Sequence, residues 1–525
     1  MSPSGLILGA LCLAASLTPS LVPRAGVVQG ALAGACFATG YGVAVLAGLI
    51  WRGLGLPVLR AERLRLPAAG IALAIVGWAL IRAPQGQDAL HRVMNLPPVE
   101  TVRPLSIALT ALAVAGVLLA LGVLFHRAAL AVSGRLRIIL PERLALLLGV
   151  VIVLMLFNFI GNDLLLRQAI GAFDASYQRI DAALPSTDPM KTGSLIRWED
   201  LGAEGRNRIS DPLDAVGIAA ITGRPAREPL RIYVGLGSGE TPDDRARLAL
   251  EEAIRTGAFT RRTLVIATPT GTGWVDPAAM FPLEVLTRGD VATVSVQYSY
   301  LPSWLSLLTV PEYGEETARA VFAAIHDHWR SLPRDSRPKL YLFGLSLGAL
   351  NSDLSADFYD LIADPYQGAL WVGPPFGSRS WRHITEDRAP GSPEWLPRFR
   401  DGSVVRFLNQ NGGDEGAPWG PVRIVYLQYA SDPITFFSPS MLWREPDWMR
   451  GPRGPDVAPE LRWIPVVTFL QVGFDVMTAT TTPRGHGHVY AGVDYLNGWL
   501  ALLSPEGWSE AALDRLRAAM AAREL

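Results

Sequence analysis

Charge is scarce in this chain of 525 residues: 18% are Asp, Glu, Lys or Arg, against about a quarter in ordinary soluble domains. Half the residues are hydrophobic, and the mean hydropathy is +0.24. The excess lies in the first 170 residues, so the chain reads as a membrane part joined to a globular part. A formal net charge of −1 argues against nucleic acid as a partner. Cysteine is nearly absent. Cys12 and Cys36 both fall in apolar segments, which leaves the globular part without a disulfide or a thiolate metal site. Histidine is sparse too, at 7 residues. His326 and His328 are two apart in a helical pattern and face different directions, a poor metal pair, and there is no HExxH. No metal or cofactor is expected. The Gly-rich run PTGTGW (Pro269–Trp274) lacks the G-x-x-x-x-G-K-[ST] spacing of a phosphate loop. There is no internal repeat.

What the first 170 residues have in abundance is apolar length. Five stretches stand out, at Leu6–Val22, Val27–Ile50, Pro67–Ile81, Ile107–Phe125 and Leu144–Leu166. Most are long enough to cross about 30 Å of hydrocarbon as helices. Gly30, Gly34, Ala38 and Gly42 recur at a four-residue spacing that allows close helix contact. The first stretch has no basic region before it, so it reads as a retained helix rather than a cleaved signal. The loop after the second stretch carries Arg52, Arg60, Arg63 and Arg65; the loop after the fourth carries Arg127, Arg135, Arg137 and Arg143. Positive loops face the cytoplasm. With five crossings, the remainder of the chain then lies outside.

Residues 171–228 read as a connector, opening with a helix-like run to about Leu184. From 229 to 525 short apolar strands alternate with amphipathic helices. The strands are expected at Arg231–Gly235, Thr263–Thr268, Val291–Tyr298, Lys339–Phe343, Ala369–Val372 and Arg423–Gln428, and the helices include Asp243–Thr256 and Glu315–Trp329. That alternation predicts an α/β domain, a mostly parallel sheet with helices on both faces.

The most informative residues are LYLFGLSLGALNSDLSA, 340–356. A β-prone run ends in Gly344-Leu345-Ser346-Leu347-Gly348 and a helix-forming run follows at once. This is the strand–turn–helix context of a G-x-S-x-G nucleophile elbow, in which small neighbours let a sharp turn lift the serine hydroxyl above the sheet edge. A hydroxyl nucleophile needs a base, and the base an orienting acid. Asp432 follows a strand in YASDPI and is the best acid; Asp475 is the runner-up, in an apolar helix-like run. Beyond Asp432 only His486 and His488 remain, in PRGHGHVY, ahead of a final amphipathic helix at Tyr490–Leu503. His486 is preferred as the base, since it follows a glycine and precedes that helix by several residues; His488 is the alternative. The Leu347 amide should supply one oxyanion donor. Gly237 or Ser238, in GLGSGE after the first strand, is the expected source of the other. The apolar run LPSWLSLL (Leu301–Leu308), with Trp304, reads as core packing, an acyl pocket or a membrane-interface contact.

Several blocks recur together in one order: TPSLVPR (Thr18–Arg24), TGAFTRRTLVIATPTGTGWVDPAA (Thr256–Ala279), VQYSYLPSWLSLL (Val296–Leu308), ALWVGPPF (Ala369–Phe376), GSPEWLP (Gly391–Pro397), LQYASDPITFFSP (Leu427–Pro439) and GHGHVY (Gly485–Tyr490). With them the chain resembles a bacterial family of membrane-anchored α/β-hydrolase proteins of largely unknown function. The resemblance implies an α/β-hydrolase catalytic domain after a transmembrane helical domain (1–170) and esterase-like activity; with the loop charges, the expected location is the bacterial plasma membrane with the catalytic domain extracytoplasmic. The elbow of that family commonly reads GESLG; here residue 345 is Leu. The expectation is a membrane-bound serine hydrolase, esterase- or lipase-like or an acyltransferase, acting on an ester, lipid-like or envelope acyl substrate at the bilayer. The alternative is a non-catalytic transport or envelope-assembly factor with a hydrolase-like binding domain.

Overall fold

The computed structural model describes residues 2–57, 61–99, 104–161, 168, 193–301, 311–356, 363–413 and 416–525. The helix-like run to Leu184, most of LPSWLSLL with Trp304, and Arg60 of the first basic loop lie outside them. The chain divides into two compact units, Met1–Ala172 with Phe437–Thr478, and Phe173–Phe436 with Ala479–Leu525. The first unit therefore takes residues 437–478 from the middle of the segment expected to be wholly catalytic.

The second unit is built on seven parallel strands among the described residues: β1 (Leu230–Val234), β2 (Thr263–Thr268), β3 (Val291–Val296), β4 (Lys339–Leu345), β5 (Gly368–Val372), β6 (Val405–Leu408) and β7 (Arg423–Leu427). Their spatial order is β1-β3-β2-β4-β5-β7-β6. Every residue of β2, β3 and β5 is buried, which is why these strands are continuous apolar runs rather than alternating ones. Helices α6 (Pro242–Thr256), α8 (Pro311–Ser331) and α9 (Leu347–Ser355) pack together, as do α7 (Pro277–Leu286), α10 (Gly492–Leu503) and α11 (Glu510–Ala522). The start of α6 is set by a capping box between Thr241 and Asp244. Its stop is set by Gly257, left-handed at φ 76°. α8 buries Ala318, Val321, Phe322 and Ile325, the stripe its sequence spacing predicts. β6 was not expected, and α11 follows what the sequence presents as the last helix.

The first unit contains α1 (Pro3–Ser16), α2 (Gly26–Gly53), α3 (Ala61–Val93), α4 (Pro104–Leu136) and α5 (Glu142–Asn158). Among the described residues, four of its helices are long and apolar enough to cross a membrane. This corrects the expected five. α1 has 14 residues, about 21 Å at 1.5 Å per residue, and lies along only part of α2. The third stretch, the shortest in sequence, belongs to a helix of 33 residues. Close approach through glycine is real at Gly30 and Gly34, where an added Cβ would sit 2.7 Å from the Ile107 carbonyl and 2.5 Å from that of Ala111 on α4. Gly42 has nothing within 4 Å.

Residues 437–478 pack on these helices. Val467, on the helix Val467–Met477, joins Leu32 and Cys36 of α2, and Ala458 joins Ala89 and Leu90 of α3. At the turn before α2, the fully buried Arg24 and Asp475 side chains form an ion pair at 2.7 Å. Asp475 also accepts the Leu21 N–H, while the Arg24 guanidinium donates to Ser20, Gln29 and the Gln471 carbonyl.

Candidate active site

The functional residues gather at the carboxyl ends of three neighbouring strands, β4, β5 and β7, where ligands bind in open parallel sheets. Ser346 stands between β4 and α9, buried, with φ 57° and ψ −125°. A non-glycine residue there carries about 1–3 kcal/mol of backbone strain, held by its surroundings. Two close approaches enforce the turn. A Cβ at Gly344 would drive into the Gly348 carbonyl, and one at Gly348 into the Thr268 carbonyl. The Ser346 N–H is tied to the Val372 carbonyl of β5 at 2.8 Å. The Leu347 N–H heads α9 and has no intrahelical acceptor.

One residue beyond Val372 is Gly373, and the His488 imidazole lies directly against it: a Cβ there would be 2.7 Å from Cε1 and 3.0 Å from Nδ1. The Gly373 N–H in turn bonds the Leu427 carbonyl that ends β7. Asp432 follows that strand and is fully buried. Its Oδ1 accepts the Ile434 N–H at 2.9 Å; its Oδ2 accepts the Tyr490 hydroxyl at 2.7 Å and the Thr435 hydroxyl at 3.3 Å. With this carboxylate acting as an acceptor throughout, His488 Nδ1 donates to Oδ2 at 2.7 Å. The other ring nitrogen, Nε2, then carries the lone pair. It is enclosed and has no hydrogen-bond partner among the described residues, so in this structure it makes no bond to the Ser346 hydroxyl; such bonds tighten on substrate binding.

The structure thus brings Asp432 and His488 together, and not Asp432 and His486. The cause is local. Residues two apart in extended chain point the same way, so His488 and Tyr490 both reach Asp432. Gly487, at φ 58°, turns the chain between the two histidines, and His486 pairs with Val489 across that turn. The turn is pinned by the Gly487 N–H on Ser431 Oγ at 2.7 Å and by Thr482 Oγ1 on the His486 carbonyl at 2.7 Å. Burial, with the Asp432 charge beside it, holds the Tyr490 phenol well above its ordinary pKa, so it stays a neutral donor.

Gly237 and Ser238 are not brought to the nucleophile. They follow β1, which lies three strands from β4, about 14 Å at 4.8 Å per strand. The loop beside the elbow follows β2: the Thr268 and Pro269 carbonyls press on Gly348. That loop is PTGTGW, which the sequence offers only as a Gly-rich turn. Asp475, the other candidate acid, is in the first unit on Arg24. Tyr490 and Gly373 are the residues that sequence reasoning passed over. Among the described residues no group of three His, Cys, Asp or Glu side chains could hold a metal.

Two family models match the chain. Residues 230–516 match an alpha/beta-hydrolase family, and residues 17–212 match the N-terminal region of an alpha/beta-hydrolase family. No curated protein and no solved structure matches it.

Proposed function

The chain belongs to the alpha/beta-hydrolase family, and from that premise we propose that it is a membrane-bound serine hydrolase acting on an ester or acyl substrate. Ser346 attacks the carbonyl, and His488 Nε2 takes its proton and returns it to the leaving group. Asp432 fixes the imidazole tautomer and stabilises the imidazolium. The Leu347 amide and the loop Pro269–Trp274, rather than Gly237 or Ser238, receive the oxyanion. Water as acceptor gives hydrolysis, and another alcohol gives acyl transfer. The observation that carries this reading is the 2.7 Å bond from Asp432 to a histidine whose Nε2 is otherwise unpartnered, beside the strand ends that hold a strained serine.

A fluorophosphonate probe on membranes carrying the protein tests it. Labelling should disappear in Ser346→Ala and His488→Ala and persist in His486→Ala. Labelling that survives His488→Ala and vanishes with His486→Ala overturns the assignment of the base. A folded wild type that never labels overturns the reaction.

The same proposal places α2–α5 across the bilayer. Arg52 near the end of α2, and Arg135, Arg137 and Arg143 around the α4–α5 turn, mark the cytoplasmic side. An even number of crossings then puts both α1 and the chain after α5 outside, as five crossings would for the latter. A cysteine introduced at the exposed Ser336 should react with an impermeant maleimide in right-side-out vesicles; reaction only after permeabilisation reverses the orientation.

A further inference from the structure

The helical unit holds a cavity of about 380 Å³ that plays no part in the serine chemistry. It lies where α2 begins, α3 ends and α4 begins. Leu17, Val27, Ala83 and Ile107 make its apolar side. Its polar side carries Gln29, Gln87, His91 and Ser106, and several donors there are unsatisfied. α2 starts at Gly26 with no side-chain cap, so the Gly26 and Val27 N–H groups at the cavity wall have no intrahelical acceptor. Gln87 is 9% exposed. Its Oε1 is used by the Arg24 N–H at 3.2 Å, which fixes the amide and leaves its NH₂ without a partner among the described residues. The Ser106 hydroxyl is likewise unbonded among the described residues. An uncapped 28-residue helix presents positive partial charge at the same place. Size and composition match a ligand site.

We propose that this cavity binds the phosphate of a phospholipid headgroup, with Gln87, Ser106 and the start of α2 donating to the phosphate oxygens and the acyl chains leaving along the apolar side. The site is independent of Ser346 and of the proposed hydrolysis.

The test is a native mass spectrometry titration of the full chain in dodecyl maltoside. The probes are dioleoylphosphatidylglycerol, dioleoylglycerol, which has the same chains and no phosphate, and inorganic phosphate. Wild type should bind the phospholipid at least tenfold more tightly than the diacylglycerol. Gln87→Glu keeps the acceptor for Arg24 and replaces the donor by a carboxylate, so it should weaken the phospholipid about tenfold or more while leaving the diacylglycerol unchanged. Ser106→Ala removes a hydroxyl that makes no protein bond and should weaken the phospholipid several-fold without changing the unfolding temperature. It carries the test alone if Gln87→Glu lowers that temperature. Equal binding of the two lipids, or phospholipid binding that neither substitution changes, overturns the site. Inorganic phosphate that competes at the concentration of the lipid shows a free-anion site and overturns the lipid assignment.

Discussion

Gly373→Ala should displace His488, the proposed base, although Gly373 itself takes no part in the proposed reaction. The added Cβ would lie 2.7 Å from His488 Cε1 and 2.9 Å from Tyr490 Cε2. Carbon atoms pack at about 3.5–4.0 Å, so the imidazole or the strand end must give way by roughly 0.8 Å or more. The ring cannot simply slide, because Asp432 holds Nδ1 at 2.7 Å. Misplacing a reacting group by about 1 Å costs on the order of 10²-fold in rate, or about 2.7 kcal/mol of transition-state stabilisation. The φ of 50° at this position adds a stability cost of about 1–2 kcal/mol for any side chain. The measurement is the rate of fluorophosphonate labelling, with the unfolding temperature recorded alongside. Gly377→Ala is the control, since a Cβ there meets nothing within 4 Å; it should label like wild type. A folded Gly373→Ala protein that labels within twofold of wild type refutes the argument, because it means that the ring of His488 need not be where the structure puts it for Ser346 to react.

Asp432→Asn should lower kcat/KM by about 10³-fold or more, because the amide no longer selects the Nδ1–H tautomer; steady-state kinetics on a nitrophenyl ester would show it, and a loss under tenfold would contradict the orienting role. Asp276 is buried, with Ala278 and Tyr495 donating to it, and burial pushes its carboxyl up to about 6. The folded state then holds the proton at pH values where the unfolded chain has lost it, so this group's contribution is fully present below about pH 4 and is lost as the pH rises through about 6. Thermal unfolding at pH 4 to 7 should therefore show a smaller decline in Asp276→Asn than in wild type, and equal slopes would sink the linkage. Arg24→Met leaves Asp475 without its ion partner in a fully buried site, at a cost of about 3–5 kcal/mol. Arg24→Met with Asp475→Leu should recover most of that, and unfolding measurements that show simple additivity would mean the pair is not coupled.

The sheet is readable from sequence because a parallel strand buried on both faces has to be an apolar run, and β2, β3 and β5 are such runs. β6 is four residues with Arg406 inside, whose guanidinium stacks 3.8 Å over Trp419; periodicity has too little length there to act on. α3 extends twelve residues past Ile81 through Arg82, Pro84, Gln85, Gln87 and Asp88, polar positions that end an apolar stretch but not a helix. The elbow is legible because its glycines answer a local steric demand. That the loop Pro269–Trp274 lies beside the elbow is not, since it depends on strand order. β2 lies between β3 and β4, and no residue of a buried strand says which strand is its neighbour. The two histidines are two residues apart in the same motif, and only the turn at Gly487 separates their destinations.

One contact bears on what the N-terminal helices are for. The hydrolase match runs continuously from 230 to 516, yet residues 437–478 inside it pack with the N-terminal helices. Arg24 lies in the N-terminal match and Asp475 in the hydrolase match, and the two form a buried ion pair. An unpaired charge at either position would be costly, so each family segment carries a buried charge whose counter-charge lies in the other. The borrowed segment leaves the catalytic unit just after Asp432, at Phe436, and returns at Ala479, whose carbonyl accepts the His488 N–H at 3.0 Å. Asp432 and His488 thus sit on the two stems of a loop whose middle is folded against apolar helices. A simple appendage would join the second unit through one linker and could be exchanged for another; this unit supplies the packing partner for the chain that connects Asp432 and His488, the two residues proposed to activate Ser346.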